Sequence, residues 1–452
     1  MLVFMLKVDI LKRLLEQKRY SELKEILKTR NSADISAALD ELGSEQLILI
    51  YRLLAKPKAA KVFSYMEPVP QEKLITSMTD KELKETMDEM FVDDAVDMIE
   101  EMPSNVVKRI LRHTPPEQRE IINMFLRYPS GSAGSVMTIE FVDLKEYMTV
   151  AEAFAKIKKV GVDSETIYTC YVLDDERTLI GIITVRTMLL ADSTAKIKDL
   201  METNFIAVNT LDDKEDAARK FDKYDLLALP VVDMESKMVG IITVDDAVDV
   251  LKEETTEDIE KMAAISPSDA SYFKMSSLTH AKNRILWLVV LMLSASITGA
   301  ILTKYQEAIS SVPLLVSFIP MLMNTGGNCG NQSASLIIRG IALDEIVPSD
   351  FFKALFKEVR ISLLVALVLS LVNGLRIYAV YKDIQLMIVI TLSLIFTVIL
   401  SKVLGCALPI LAKKLKLDPA LMAAPLITTI VDACSMFIYF NIALIIMGQR
   451  IG

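Results

Sequence analysis

The residues in this chain best placed to do chemistry are oxygen donors in apolar surroundings. Asp432 sits well inside "LITTIVDACSMFIYF", with Thr428 and Thr429 one helical turn earlier. An isolated carboxylate at membrane depth must line water, pair with a cation or carry a proton, which makes it a functional candidate, with a purely structural hydrogen bond as the alternative. The stretch "MNTGGNCGNQSASLIIR", 323 to 339, likewise sets the amides of Asn324, Asn328, Asn331 and Gln332 between apolar neighbours. Amide and carboxylate oxygens suit a hard, hydrated cation, and polar groups at that depth are tolerated where they line an aqueous cavity. Gly326, Gly327 and Gly330 allow close helix approach or a local break. Asn324, Gly327, Asn328, Asn331, Gln332 and Thr428 are therefore the expected pore wall and Asp432 the ion ligand; a small-residue packing face with hydrogen-bonded amides is the competing reading.

Carboxylates also cluster outside the apolar part. In "VDDAVDVLKEETTEDIEKM", 244 to 262, Asp246, Asp249, Glu253, Glu257 and Glu260 recur every three or four residues. One edge of a helix then carries like charges that repel. Asp93 and Asp97, one turn apart, and Glu215 and Asp225 add more. Divalent cations filling the gaps between such faces are one reading, an ordinary solvated acidic surface the other. No Ser/His/Asp set and no glycine-rich phosphate loop after a strand is present, so an enzyme is not expected. Cys170, Cys329, Cys406 and Cys434 are scattered and His113 and His280 are the only histidines, which excludes a zinc site or a disulfide framework.

The elements that position these residues follow from composition. The 452 residues are 52% hydrophobic and 24% charged, and the two characters separate: charge dominates to about residue 270, apolar residues after about 284. Apolar runs at about 285–303, 312–338, 359–381, 384–411 and 420–446 are each long enough to cross a bilayer. That gives five spans, with Asp432 as the only carboxylate well inside one. Lys402, nearer a span end, is expected to snorkel to the interface. Lys274, Lys282, Arg284, Arg339, Lys353, Lys357, Arg360, Lys413, Lys414 and Lys416 fall on one side, against Lys304, Arg376, Lys382 and Arg450 on the other. The richer side is cytoplasmic, which places the soluble half inside and the C-terminus outside a multi-pass cell-membrane protein. "MLVFMLKVDILKRLL" lacks the h-region and cleavage site of a signal peptide. A net charge of −9 gives no footing for nucleic acid.

Residues 1–130 read as an acidic α-solenoid of short capped helices. Residues 131–252 contain a repeat. "YVLDDERTLIGIITVRTML" is echoed by "PVVDMESKMVGIITVDDAV", each within a strand, helix, strand, strand, helix pattern, giving copies at 136–200 and 201–252. This resembles a tandem pair of α+β CBS modules. In adenosine-binding modules of that kind a Thr followed three residues later by Asp holds the ribose. Thr243 and Asp246 match; Thr184 and Thr187 in the first copy do not, so at most one ATP-type site is expected. Residues 253–280 should form a connecting helix and 281–452 an all-α, five-helix transmembrane domain.

With "GGNCGNQSASLIIR", "DPALMAAPLITTIVD" and the junction "RYPSGSAGSVMT", the whole chain resembles the MgtE family of magnesium channels. The resemblance implies a homodimer in membrane lipid, with two pores or one at the dimer interface, lined by the second and fifth spans, and Asp432 of both subunits holding hydrated Mg²⁺. It implies regulatory Mg²⁺ ligands at Asp93, Asp97, Asp213, Glu215, Asp225, Asp246, Asp249, Glu254, Glu257, Asp258 and Asp418, with helix 247–270 locking against the pore at high Mg²⁺. Ala424 departs from the polar or glycine residue that relatives often have before the proline. An ion-coupled secondary transporter of divalent cations, or a nucleotide sensor on a membrane anchor, are the competing functions; no inverted repeat favours the former.

Overall fold

Punctuation in the sequence divides the first hundred-odd residues into short helices. Asn31 accepts from the Ala33 amide, Thr79 and Glu82 form a reciprocal capping box, and prolines open the segments at 57, 68 and 116. In this computed structural model, which describes residues 8–162, 164–268, 272, 275–422 and 424–451, the outcome is a run of helices from α1 (Val8–Glu16) to α10 (Pro116–Phe125), including α8 (Val92–Glu101). No single helix of about ten residues is stable alone. Their buried stripes meet in one core, with Leu23, Ile35, Ile50, Phe63, Ile75, Ile110 and Phe125 each almost wholly buried.

The repeat folds twice into the same unit. In the first copy β1 (Asp143–Leu144), α11 (Val150–Val160), β2 (Thr169–Leu173), β3 (Leu179–Thr184) and α12 (Val185–Leu190) form a three-stranded sheet, parallel between β1 and β2 and antiparallel between β2 and β3. After α13 (Ile197–Leu200), the second copy repeats this with β4 (Val208–Asn209), α14 (Lys214–Tyr224), β5 (Ala228–Val232), β6 (Met238–Thr243) and α15 (Val244–Met262). Even the register irregularity recurs, at Val172/Leu173 and Val231/Val232. Phe221, Leu229, Val231, Ile242 and Ala247 of the second copy join the core of the preceding helices. That shared core brings α8 towards the start of α15.

The chain divides into two compact units, 1–252 and 253–452. The second contains α16 (Ser277–Lys304), α17 (Gln306–Ser311), a 3-10 turn (Pro313–Phe318), α18 (Ile319–Ala342), α19 (Phe351–Tyr381), α20 (Ile384–Lys414) and α21 (Ala424–Ile451). Among the described residues four segments, Ser277–Lys304, Pro348–Tyr381, Ile384–Lys414 and Pro425–Gly448, are long and apolar enough to cross a membrane. The expected second span, α18, has 24 residues, about 36 Å at 1.5 Å per residue; its asparagines and glycines keep it below the hydropathy of the other four. It is an unbroken helix, so its glycines serve approach and not a break. No described residue of α16 is buried. Tyr439 and Phe440 anchor the core of this unit, and the Tyr439 hydroxyl donates to the Leu315 carbonyl at 2.9 Å.

The connecting helix is shorter than the sequence suggests. α15 ends at Met262, where Ala264 takes a positive φ of 54°, and the next described helix begins at Ser277, so 253–280 is not one helix. Lys274 and the side chains of Ala424 and Arg450 lie outside the described residues.

Candidate functional site

α18 carries two faces. Asn324, Asn328 and Gln332, four residues apart, form an exposed amide stripe, with Asn328 Nδ2 donating to Asn324 Oδ1 at 3.3 Å. The glycines face the other way. A Cβ on Gly327 would meet Thr428 at 2.9 Å, one on Gly326 would meet Thr397 and Val431 at 2.8 Å, and one on Gly330 would meet Ile427 at 2.8 Å. Gly327 is thus a packing contact between α18 and α21, not exposed wall. The Asn331 amide oxygen is also buried and has no hydrogen-bond partner among the described residues. Asp432 follows Val431 of that contact and is half-buried. Thr428 and Thr429 both donate their hydroxyls to the Pro425 carbonyl at 2.9 Å. Met262, the last residue of α15, packs on the cluster of Ala334, Ile338, Ile427 and Val431, beside Asp432 in sequence.

Two expectations for this unit change. Asp432 is not the only carboxylate inside the helical part: Glu358, which the span drawn from 359 left out, is buried in α19. Lys402 does not snorkel but is buried on α20, within reach of Glu358 and Ser333. A neutralising partner removed the need to reach water.

In the first unit α8 brings Asp93 and Asp94 near Asp246. Burial foremost, then the charges of Asp94 and Asp246, pushes the Asp93 carboxyl up to about 9. Burial and Asp246 push Asp94 to about 6. Glu165 rises to about 7 through burial and the charges of Asp94, Asp245 and Asp246. Burial also raises Asp246, opposed by its bond from Thr243. Asp94, Asp245 and Glu165 are members that spacing missed: the first two were legible as neighbours in "VDD", whereas Glu165 arrives from a distant loop. Such oxygens fit a hard cation chemically, yet among the described residues no three His, Cys, Asp or Glu side chains form a closed ligand set.

The remaining acidic residues are dispersed. Asp213 caps α14 by accepting from the Glu215 amide, Glu215 pairs with Arg219, and Asp225 ends α14 with a positive φ of 53°. Asp249 lies 3.5 Å from Lys252, while Asp97 is exposed and Glu254 and Asp258 are half-buried. Glu257 and Asp418 share one counter-ion: Lys261 Nζ lies 2.6 Å from the first and 2.7 Å from the second. Burial alone would lower the Lys261 pKa, but its bonds to Asp418 and Glu257 prevail and raise it.

The nucleotide motif is closed on itself. Thr243 is buried and donates to Asp246 at 2.5 Å. An open hollow of about 540 Å³ lies instead beside the first copy, lined by Thr184, Arg186, Thr187, Leu190, Ala191 and Leu200.

A helical acidic domain, a CBS pair and apolar helices that carry an exposed amide stripe and a half-buried carboxylate are the parts of a membrane transporter of cations. The MgtE divalent cation transporter model matches residues 319–442, beginning with α18; the MgtE intracellular N domain matches 30–131 and CBS domains match 133–193 and 197–253. The magnesium transporter MgtE of Thermus thermophilus is 34% identical over 430 residues, covering 94% of this chain and 95% of the relative. That of Bacillus subtilis is 31% identical over 92% of this chain and 95% of the relative. A crystal structure of the cytosolic domain of the Mg²⁺ channel MgtE in complex with ATP superposes with a TM-score of 0.52 at 33% identity, covering 54% of this chain and all of that one. The soluble part of a magnesium transporter gives 0.52 at 28%, covering 55% of this chain and 97% of that one. The chain belongs to the MgtE family.

Proposed function

We propose that this protein is a Mg²⁺ channel that admits Mg²⁺ to the cytoplasm and is closed by cytoplasmic Mg²⁺. One observation carries the reading: α18 presents the exposed amides Asn324, Asn328 and Gln332 and packs through its glycines on α21, the helix that carries the half-buried Asp432, and such oxygens suit a hydrated hard ion. The exposed, apolar α16 suits lipid and a second copy, so the working form is a homodimer with the soluble half inside. Asp432→Ala decides the matter: growth rescue and Mg²⁺ uptake in cells lacking Mg²⁺ transport should vanish while the protein still folds. Unchanged uptake would reject the pore.

Gating follows from the acidic faces. At low Mg²⁺ the carboxylates of α8 and α15 repel, and the assembly loosens. At high Mg²⁺ several weakly held, partly hydrated ions neutralise them, and together they sharpen the response. The packing of Met262 against Ile427 and Val431 supports the end of α15 as the element that closes the pore.

ATP is the second ligand of this reading. The relative solved with ATP and the open hollow beside Arg186 both favour it; Thr243 and Asp246 accept a ribose only if their mutual bond opens.

A further inference from the structure

Glu358 of α19, Lys402 of α20 and Ser333 of α18 are 7%, 5% and 0% exposed. Ser333 Oγ donates to Glu358 Oε2 at 2.7 Å, Lys402 Nζ donates to Ser333 Oγ at 3.2 Å, and the two charges are 3.8 Å apart. The hydroxyl therefore stands between an ammonium and a carboxylate, tying three helices at one point.

Stability does not account for such an arrangement. Withdrawing two ions from water is costly, and well-packed apolar side chains of similar volume hold helices at least as well. What a charged trio does, and leucines do not, is allow one alignment only. Apolar surfaces can slip past one another at little cost, whereas any slip here strands a buried ion. The alignment matters because Ser333 directly follows Gln332, the last amide of the exposed stripe. At about 100° per residue, holding Ser333 inward dictates where Asn324, Asn328 and Gln332 point. Gly330, three residues before Ser333, meets Gly405, three residues after Lys402. Two anchors one turn apart, on the same two helices, fix both rotation and sliding of α18.

We infer that Glu358, Ser333 and Lys402 are positioning residues that set the amide stripe relative to Asp432, and thereby which hydrated cation the pore prefers. This rests on the pore proposed above. None of the three touches the ion; they act through α18.

The test uses the full-length protein, purified for thermal unfolding and reconstituted in liposomes for Mg²⁺ and Co²⁺ uptake. Two variants are compared with the parent: Ser333→Ala, which removes only the bridging hydroxyl, and the apolar double variant Glu358→Leu with Lys402→Met. Both should fold and retain a maximal Mg²⁺ flux near that of the parent. The half-saturating Mg²⁺ concentration should rise several-fold and the Mg²⁺ over Co²⁺ preference should fall several-fold. Either variant folding with the parent's half-saturation and preference would overturn the inference. So would failure of both to fold, because the trio would then hold the fold and not the ion preference. If only the double variant fails to fold, Ser333→Ala decides alone. Asp432→Ala runs beside them: if it conducts like the parent the pore reading itself is wrong, whereas a silent Asp432→Ala beside parent-like trio variants sinks this inference alone.

Discussion

Gly405 of α20 lies so close to Gly330 of α18 that a Cβ on Gly405 would collide with the Gly330 carbonyl oxygen. Backbone cannot yield there as a flexible side chain could. Gly405→Ala should push α18 off α20, with an overpacking cost of about 1–3 kcal/mol. The expected result is a melting temperature lower by several degrees and a larger proportional loss of Mg²⁺ uptake. Parent-like values for both would mean that the helices part without consequence.

Lys261 occupies the gap between Glu257 and Asp418, where the family resemblance expects Mg²⁺. On the proposed gating its ammonium competes with the ion and, in the ion's absence, tethers the end of α15 to Asp418. Lys261→Met should speed protease cleavage after Met262 without Mg²⁺ and move the Mg²⁺ midpoint for protection to lower concentration. A midpoint that stays put or rises would show that Lys261 and Mg²⁺ do not share the site.

Burial and neighbouring carboxylates push Asp93, Glu165 and Asp94 up to about 9, about 7 and about 6, against about 4 for unfolded carboxylates. Between those limits the folded form binds protons that the unfolded form releases, so stability falls as pH rises. On the proposed gating, divalent cations replace the protons. Without Mg²⁺, protease resistance of the first unit in the full-length protein should be high at pH 6 and lost by pH 9, with Mg²⁺ restoring it. Asp93→Asn should flatten this dependence, and equal Mg²⁺-free resistance at both pH values would count against the cluster.

Arg186 lines the open hollow of the first CBS copy, whereas Thr243 is engaged with Asp246. A charge-assisted bond contributes about 1.5–3 kcal/mol, so Arg186→Ala should weaken ATP binding by roughly tenfold or more, and Thr243→Ala should change it little. Calorimetry on the full-length protein reads both, and the reverse ranking would move the nucleotide to the second copy.

Much of this was legible in the sequence, for physical reasons. Five apolar runs, a duplicated strand and helix pattern and the capping signals are local properties, so the elements and their order follow from chain chemistry. Asp432 and the amides stood out because polar groups are rare at membrane depth. The division among the amides was only half legible: a spacing of four puts Asn324, Asn328 and Gln332 together, but which face is open depends on where α20 and α21 pack. Thus Gly327 and Asn331 turned inward, and Lys402 found Glu358 in place of water.

By itself the sequence determined that oxygen donors lie among apolar helices, behind an acidic helical domain and a CBS pair, since hydropathy and periodicity are carried by neighbouring residues. Only tertiary structure decided which of those donors meet. Asp93 nears Asp246, Lys261 bridges Glu257 and Asp418, and Lys402 reaches Glu358 through Ser333 because separate helices pack together, and long-range packing is what local periodicity does not encode.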